Sequence, residues 1–127
     1  MVAGALVPIV LVVDDEESLR LYMRRVLKDD GYIVIEAQNG LEALSLLDDG
    51  QTGRVDLVVT DVLMPCMGGT DLATRLATRP SSPPVLFVSG SHNVTDVPGP
   101  LLRKPFLPAD LRVLARELIR QVSASSF

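Results

Sequence analysis

The sequence has one cysteine, Cys66, so no intramolecular disulfide can hold this fold together. A reducing, cytoplasmic setting is the natural expectation for such a chain. Long apolar runs are also missing. Nothing approaches the ~20 residues that cross a bilayer, so insertion of this chain into a membrane is not expected. The segment from Ala5 to Val13 is apolar but short, and it lacks the basic start and cleavage site of a signal peptide. It reads as a buried strand. Positive charge is in deficit, with 12 Lys and Arg against 16 Asp and Glu, a net charge of −4. Direct nucleic-acid binding needs a basic face and is therefore disfavoured. Neither an internal repeat nor a low-complexity segment interrupts the chain.

What is present suits one globular domain. The 127 residues are 47% hydrophobic, enough for a core, and the 22% charged fraction argues against disorder. Strand-like and helix-like segments alternate. The β-branched run Ile9 to Val13 ends in two aspartates, and unbroken runs of this kind fit strands buried on both faces. A helical pattern follows with Leu19, Tyr22, Met23, Val26 and Leu27 on one face, closed by Gly31. Tyr32 to Ile35 reads as the second strand. Asn39-Gly40 then turns into a helix carrying Leu41, Leu44 and Leu47. The third strand is read over Val55 to Thr60. Beyond a loop through Pro65, a short helix is expected from near Thr70 to before Pro80, with Leu72, Ala73 and Leu76 inward. Val85 to Val88 is the fourth strand and Leu101 to Arg103 a short fifth. Pro108 suits the first turn of a last helix, which turns Leu111, Leu114, Ala115, Leu118, Ile119 and Val122 to one face before a frayed tail from Ser123.

Such alternation implies an α/β domain with a parallel sheet, and open sheets of this kind form sites at the carboxyl ends of their strands. The residues found there are Asp14 and Asp15, Asp61, Ser89 and Lys104. Taken singly each is ordinary: a helix entry, a cap, or a surface residue. Together, each following a different strand, they put three carboxylates, a hydroxyl and an amine in one crevice. Clustered carboxylates need a cation or their pKa values rise. An all-oxygen site with few protein ligands suits Mg²⁺.

Val12-Val13-Asp14-Asp15-Glu16, Thr60-Asp61-Val62-Leu63-Met64-Pro65-Cys66-Met67-Gly68-Gly69, Val88-Ser89-Gly90 and Lys104-Pro105-Phe106 together resemble, in order and kind, the response-regulator receiver family of two-component (phosphorelay) signalling. The match runs over essentially the whole chain. It implies a flavodoxin-like, doubly wound five-stranded parallel sheet of order 2-1-3-4-5, occupying residues 1–127 as one receiver domain with no output domain in this chain. It further implies that Asp61 is the phosphoacceptor. Asp15, Asp61 and the backbone carbonyl of Leu63 would ligate Mg²⁺, and Asp14 would act through bound water. Lys104 would pair with the phosphoryl oxygens, and Ser89 would hydrogen-bond one of them after transfer. The implied donor is a phosphohistidine on a sensor histidine kinase or histidine phosphotransfer protein. The activity expected is that of a self-phosphorylating switch with slow autodephosphorylation, not of a metabolic enzyme.

Two departures from the family pattern stand out. The aromatic residue expected three positions before the lysine is replaced by Leu101, which has neither ring nor hydroxyl to report a switch. Only 14 residues separate Ser89 from Lys104, where a helix, two loops and a strand need about 20 or more. The intervening Gly90 to Pro100 is rich in proline and glycine. The helix that the family places between the fourth and fifth strands is therefore expected to be absent or very short, and the common dimer built on that face is disfavoured. Phe106 is expected to pack into the core, not to replace the missing aromatic. His92 reads as a solvated loop residue and Cys66 as an incidental exposed thiol. Ser91, two residues past Ser89, is a candidate for controlling water access to the phosphoryl group.

Three other readings compete. A dehalogenase-like phosphatase needs an acid two positions beyond its nucleophile, where this chain has Leu63. A nucleotide-binding flavodoxin-like module needs a glycine-rich loop after the first strand, where this chain has acids. A degenerate receiver serving as an unphosphorylated docking module would not require the five site residues to be complete. Either a stand-alone regulator or a receiver of a hybrid histidine kinase fits the sequence. The short segment after Ser89 and the Phe106-Leu107-Pro108 entry to the last helix favour the latter.

Overall fold

The computed structural model describes residues 7–50 and 52–125. The elements in chain order are β1 (Ile9–Val13), α1 (Glu17–Asp29), β2 (Ile33–Ala37), α2 (Gly40–Asp48), β3 (Leu57–Asp61), α3 (Gly69–Ala77), β4 (Val85–Ser89), β5 (Leu101–Arg103) and α4 (Pro108–Ser125). All strand pairs are parallel, and the sheet order is β2-β1-β3-β4-β5.

Side chains alternate across each strand and so feed two cores. Val10, Val12, Val59, Leu86 and Val88 meet Met23, Val26 and Leu27 of α1 and Leu111 and Ala115 of α4. Leu11, Val13 and Val58 meet Ala43 of α2 and Leu72 and Leu76 of α3 on the opposite face. Each fully buried Leu or Val contributes about 1.5–3 kcal/mol relative to exposure. The continuous apolar strands are thus explained by burial on both faces. Ion pairs from Arg20 (3.1 Å) and Arg24 (3.2 Å) to Glu36 tie α1 to the edge strand β2.

Local signals set most boundaries. Gly31 takes φ 98°, and its N–H donates to the Lys28 carbonyl, closing α1. Asn39 caps α2, its side chain accepting the Glu42 N–H at 2.8 Å. Tertiary pairing moved others. Tyr32 is not in β2; its N–H still closes α1 on Leu27, while pairing to β1 extends β2 through Glu36 and Ala37. Val55 and Asp56 precede β3; Asp56 clamps Ile9, accepting its N–H on the carboxylate at 2.9 Å and donating its own N–H to the Ile9 carbonyl at 2.8 Å. Leu41 is exposed, whereas Leu44 and Leu47 pack against the core. The frayed tail expected from Ser123 is corrected in part, since α4 continues to Ser125. Ala5, Leu6 and residues 126–127 lie outside the described residues, as does the side chain of Val122.

Between β4 and β5 there is no helix. Gly90 to Pro100 forms one turn, with the Val94 N–H on the Ser91 carbonyl, then an extended stretch. Phe87 is buried, with Gly99 laid against its ring. No helix among the described residues is long and apolar enough to cross a membrane.

Candidate functional site

Parallel register brings the strand ends to one edge. Val13 pairs with Thr60, Asp61 with Val88, and Ser89 with Arg103. Asp61 and Ser89 are the last residues of β3 and β4; Asp14 follows β1 and Lys104 follows β5. The crevice therefore holds Asp14, Asp15, Asp61, Ser89 and Lys104 for a topological reason.

Asp14, at 0% exposure, and Asp61, at 8%, are buried, while Asp15 faces solvent. The Asp14 Oδ1 accepts the Glu16 N–H at 2.8 Å, and its own N–H donates to the Ala37 carbonyl at 3.1 Å. Arg20 Nη1 donates to the Asp14 carbonyl at 2.9 Å. The other carboxylate oxygen, Oδ2, is buried without a hydrogen-bond partner; the nearest cation is Lys104 Nζ at 3.8 Å. Burial pushes the Asp14 pKa up to about 6, opposed by the Glu16 N–H and reinforced by the negative charge of Asp61.

Asp14, Asp15 and Asp61 each offer an oxygen within 4.8 Å of the others. Lys104 Nζ lies 3.3 Å from Asp61 Oδ2, and the Lys104 N–H donates to the Ser89 carbonyl at 2.9 Å. An orphaned buried carboxylate oxygen beside two more carboxylates is an oxygen-only donor set. It fits a hard divalent cation, with Lys104 balancing part of the remaining charge.

The loop after β3 presses on this site through glycine. A Cβ on Gly69 would fall on the Asp61 carbonyl oxygen, and one on Gly68 would come within 2.7 Å of the Val62 carbonyl. The Gly69 N–H donates to that Val62 carbonyl at 2.9 Å, closing the loop. Leu63 is exposed on the loop at 61%. Cys66 is exposed and adopts φ 70°.

The Ser89 hydroxyl is buried and accepts the Ser91 N–H at 3.1 Å. Leu101 lies opposite Phe87 in the sheet register. Phe106 packs with Tyr22, ring centroids 5.9 Å apart, against the α1 side of the core. His92 is exposed.

Three residues near the site escaped the sequence reading. Arg20 braces Asp14, but its partners lie on other elements and leave no local signal. Gly69 sits inside a motif whose glycines suggested only a turn. Arg103 read as a strand residue, yet its guanidinium reaches back into the Gly90–Pro100 segment.

Comparison with known proteins agrees with this geometry. The family profile of the response regulator receiver domain matches residues 10–99. Response regulator MprA from Mycobacterium sp. (strain KMS) is 35% identical over 121 residues, covering 90% of this chain and 51% of that protein. Sensor kinase CckA from Brucella abortus is 35% identical over 119 residues, covering 88% of this chain and 12% of the kinase. The crystal structure of the receiver domain from hybrid histidine kinase CckA superposes with a TM-score of 0.75 at 31% identity, covering 87% of this chain and 98% of that one. This chain thus spans about half the length of MprA and a small part of the kinase. With profile, sequence and fold in agreement, the chain belongs to the response regulator receiver domain family of two-component phosphorelay signalling.

Proposed function

We propose that Asp61 accepts a phosphoryl group from a phosphohistidine on a sensor histidine kinase or histidine phosphotransfer protein. A carboxylate oxygen of Asp61 forms the new bond to phosphorus as the phosphorus–nitrogen bond of phosphohistidine breaks, and the leaving imidazole takes a proton from solvent. The observation that carries this reading is the convergence of Lys104 Nζ, at 3.3 Å, and two further carboxylates on the Asp61 side chain.

Each residue has a defined task. Lys104 offsets negative charge where it develops on the transferring oxygens. Asp15, Asp61 and the Leu63 carbonyl would hold Mg²⁺, with Asp14 acting through bound water. When bound, the ion supplies charge neutralisation for the phosphoryl group. Asp14 and Asp61 are largely shielded from solvent, so their mutual repulsion is poorly screened and favours a cation. The Ser89 hydroxyl would donate to a phosphoryl oxygen after transfer, shifting the population between two arrangements of the strand ends. Transfer and slow hydrolysis on one carboxylate describe a cytoplasmic signalling switch, controlling either a partner or the remainder of a longer protein.

Incubation with acetyl phosphate and Mg²⁺, followed by intact-mass measurement, tests this reading. One phosphoryl group should appear on the wild-type chain and none on Asp61→Asn. A wild-type chain left unmodified both by this donor and by a phosphorylated histidine kinase would favour a docking module that is never phosphorylated.

A further inference from the structure

The chain must hold Gly90 to Pro100 against the sheet without the hydrogen bonds of a helix. The end of the segment is anchored by the Phe87 N–H on the Pro100 carbonyl (2.9 Å) and by Gly99, where a Cβ would come within 3.2 Å of the Phe87 ring. Its beginning hangs from two side chains. The Ser91 N–H donates to Ser89 Oγ at 3.1 Å. Arg103 donates from Nη1 to the Ser91 carbonyl at 2.7 Å and from Nη2 to the Val94 carbonyl at 2.6 Å. Ser89 and Arg103 are register partners at the ends of β4 and β5. Two neighbours on the sheet edge therefore grip Ser91 by its N–H and its carbonyl, and one of them is the hydroxyl residue of the acceptor site.

We propose that Arg103 is a clasp that keeps residues 91–94 closed in the unphosphorylated chain, and that phosphorylation opens it through Ser89. The inference rests on Asp61 being the phosphoacceptor. Rotation of the Ser89 side chain toward a phosphoryl oxygen carries Oγ away from the Ser91 N–H, which then lacks its acceptor. The half-buried Ser91 backbone then shifts to find water, which draws its carbonyl off Arg103 Nη1. The guanidinium fork grips well only when both carbonyls are in place. Because Arg103 is exposed, water competes for each of its bonds, and the clasp is weak enough for a single modification to open it. Arg103 is thus a positioning residue that couples the acceptor site to the surface, the task that Leu101 lacks the chemistry to perform. The surface that changes carries the exposed side chains of His92, Asn93, Thr95 and Asp96.

Amide hydrogen exchange on the full chain, read by mass spectrometry over residues 91–97, tests the clasp. Before phosphorylation these amides should exchange about tenfold more slowly in wild type than in Arg103→Ala. Arg103→Lys keeps the charge but loses the fork and should resemble the alanine variant. Phosphorylation with acetyl phosphate and Mg²⁺, verified by intact mass, should raise exchange across residues 91–97 in wild type, and in Arg103→Ala only at the Ser91 amide, which loses its Ser89 acceptor in both. Equal exchange in the unphosphorylated wild type and variant overturns the clasp, as does an equal phosphorylation increment in both, which is what a merely structural Arg103 would give. Should Arg103→Ala lose its far-UV circular dichroism, wild type alone decides: no change in these amides on phosphorylation overturns the proposal. A chain that never gains the phosphoryl group removes the acceptor reading, and this inference with it.

Discussion

Replacing Asp14 by Asn should stabilise the metal-free chain above pH 6, and the gain should vanish in acid. Asp14 has no solvent exposure, and its Oδ2 has no hydrogen-bond partner. Its pKa rises from 3.8 to about 6, chiefly through burial. At about 1.36 kcal/mol per pH unit, a shift of roughly two units corresponds to about 3 kcal/mol. The crevice above Asp14 opens to water at Asp15, so about 1–2 kcal/mol is the expected size. The sign follows from proton counts. Between 3.8 and about 6 the native state holds the proton more firmly than the unfolded chain, so stability falls as pH rises through that window. Below it both states are protonated and the full stability is present. Above it both are ionised and the deficit is constant. Asn mimics the protonated acid and retains an oxygen for the Glu16 N–H. Urea unfolding in EDTA from pH 4 to 8 measures the effect. The midpoint gap between Asp14→Asn and wild type should be largest at pH 8 and shrink to about a fifth of that at pH 4. Saturating Mg²⁺ should narrow or reverse it, because only the intact acidic cluster gains fully from the cation. No gap at pH 8, or a wild type more stable there in EDTA, would refute the reasoning.

Other perturbations probe the surroundings of Asp61. Lys104→Ala should slow phosphorylation by acetyl phosphate at least about tenfold while leaving circular dichroism unchanged, since it removes the cation 3.3 Å from Asp61; an unchanged rate would exclude Lys104 from the chemistry. Gly69→Ala should cost about 1–3 kcal/mol in urea unfolding, because its Cβ would overlap the Asp61 carbonyl oxygen. A wild-type midpoint would show that the loop can retreat freely. Ser91→Leu should change the dephosphorylation rate of Asp61, followed by intact mass over time. An unchanged half-life would dispose of a role for Ser91 in water access.

Much of this was legible in the residues themselves. Leu101–Arg103 was legible with its observed bounds, and β1 as the Ile9–Val13 part of the apolar segment read as a strand from Ala5, in which Val7 proves exposed, since apolar continuity and turn residues are local properties. So was the missing helix, because proline and glycine forbid it within so short a segment. The five candidate site residues were found because a parallel sheet sends every strand's carboxyl end to one edge. The ends of β2 and β3 were not legible, since Asp56 and Glu36 take their places from β1, far away in sequence.

Sequence alone determined which chemical groups reach the edge of the sheet. Tertiary structure decided their environment. Asp14 and Asp15 are adjacent acids in the sequence, yet one is buried with a perturbed carboxyl and the other faces water. That difference comes from packing against Ala37, Arg20 and Lys104, residues no local pattern links to them. Arg103 is a similar case. Its type and position next to Lys104 are plain in the sequence, but its grip on two carbonyls exists only because β4 and β5 lie side by side. Hydrogen bonds and desolvation depend on distance in space, and the fold alone converts chain order into distance.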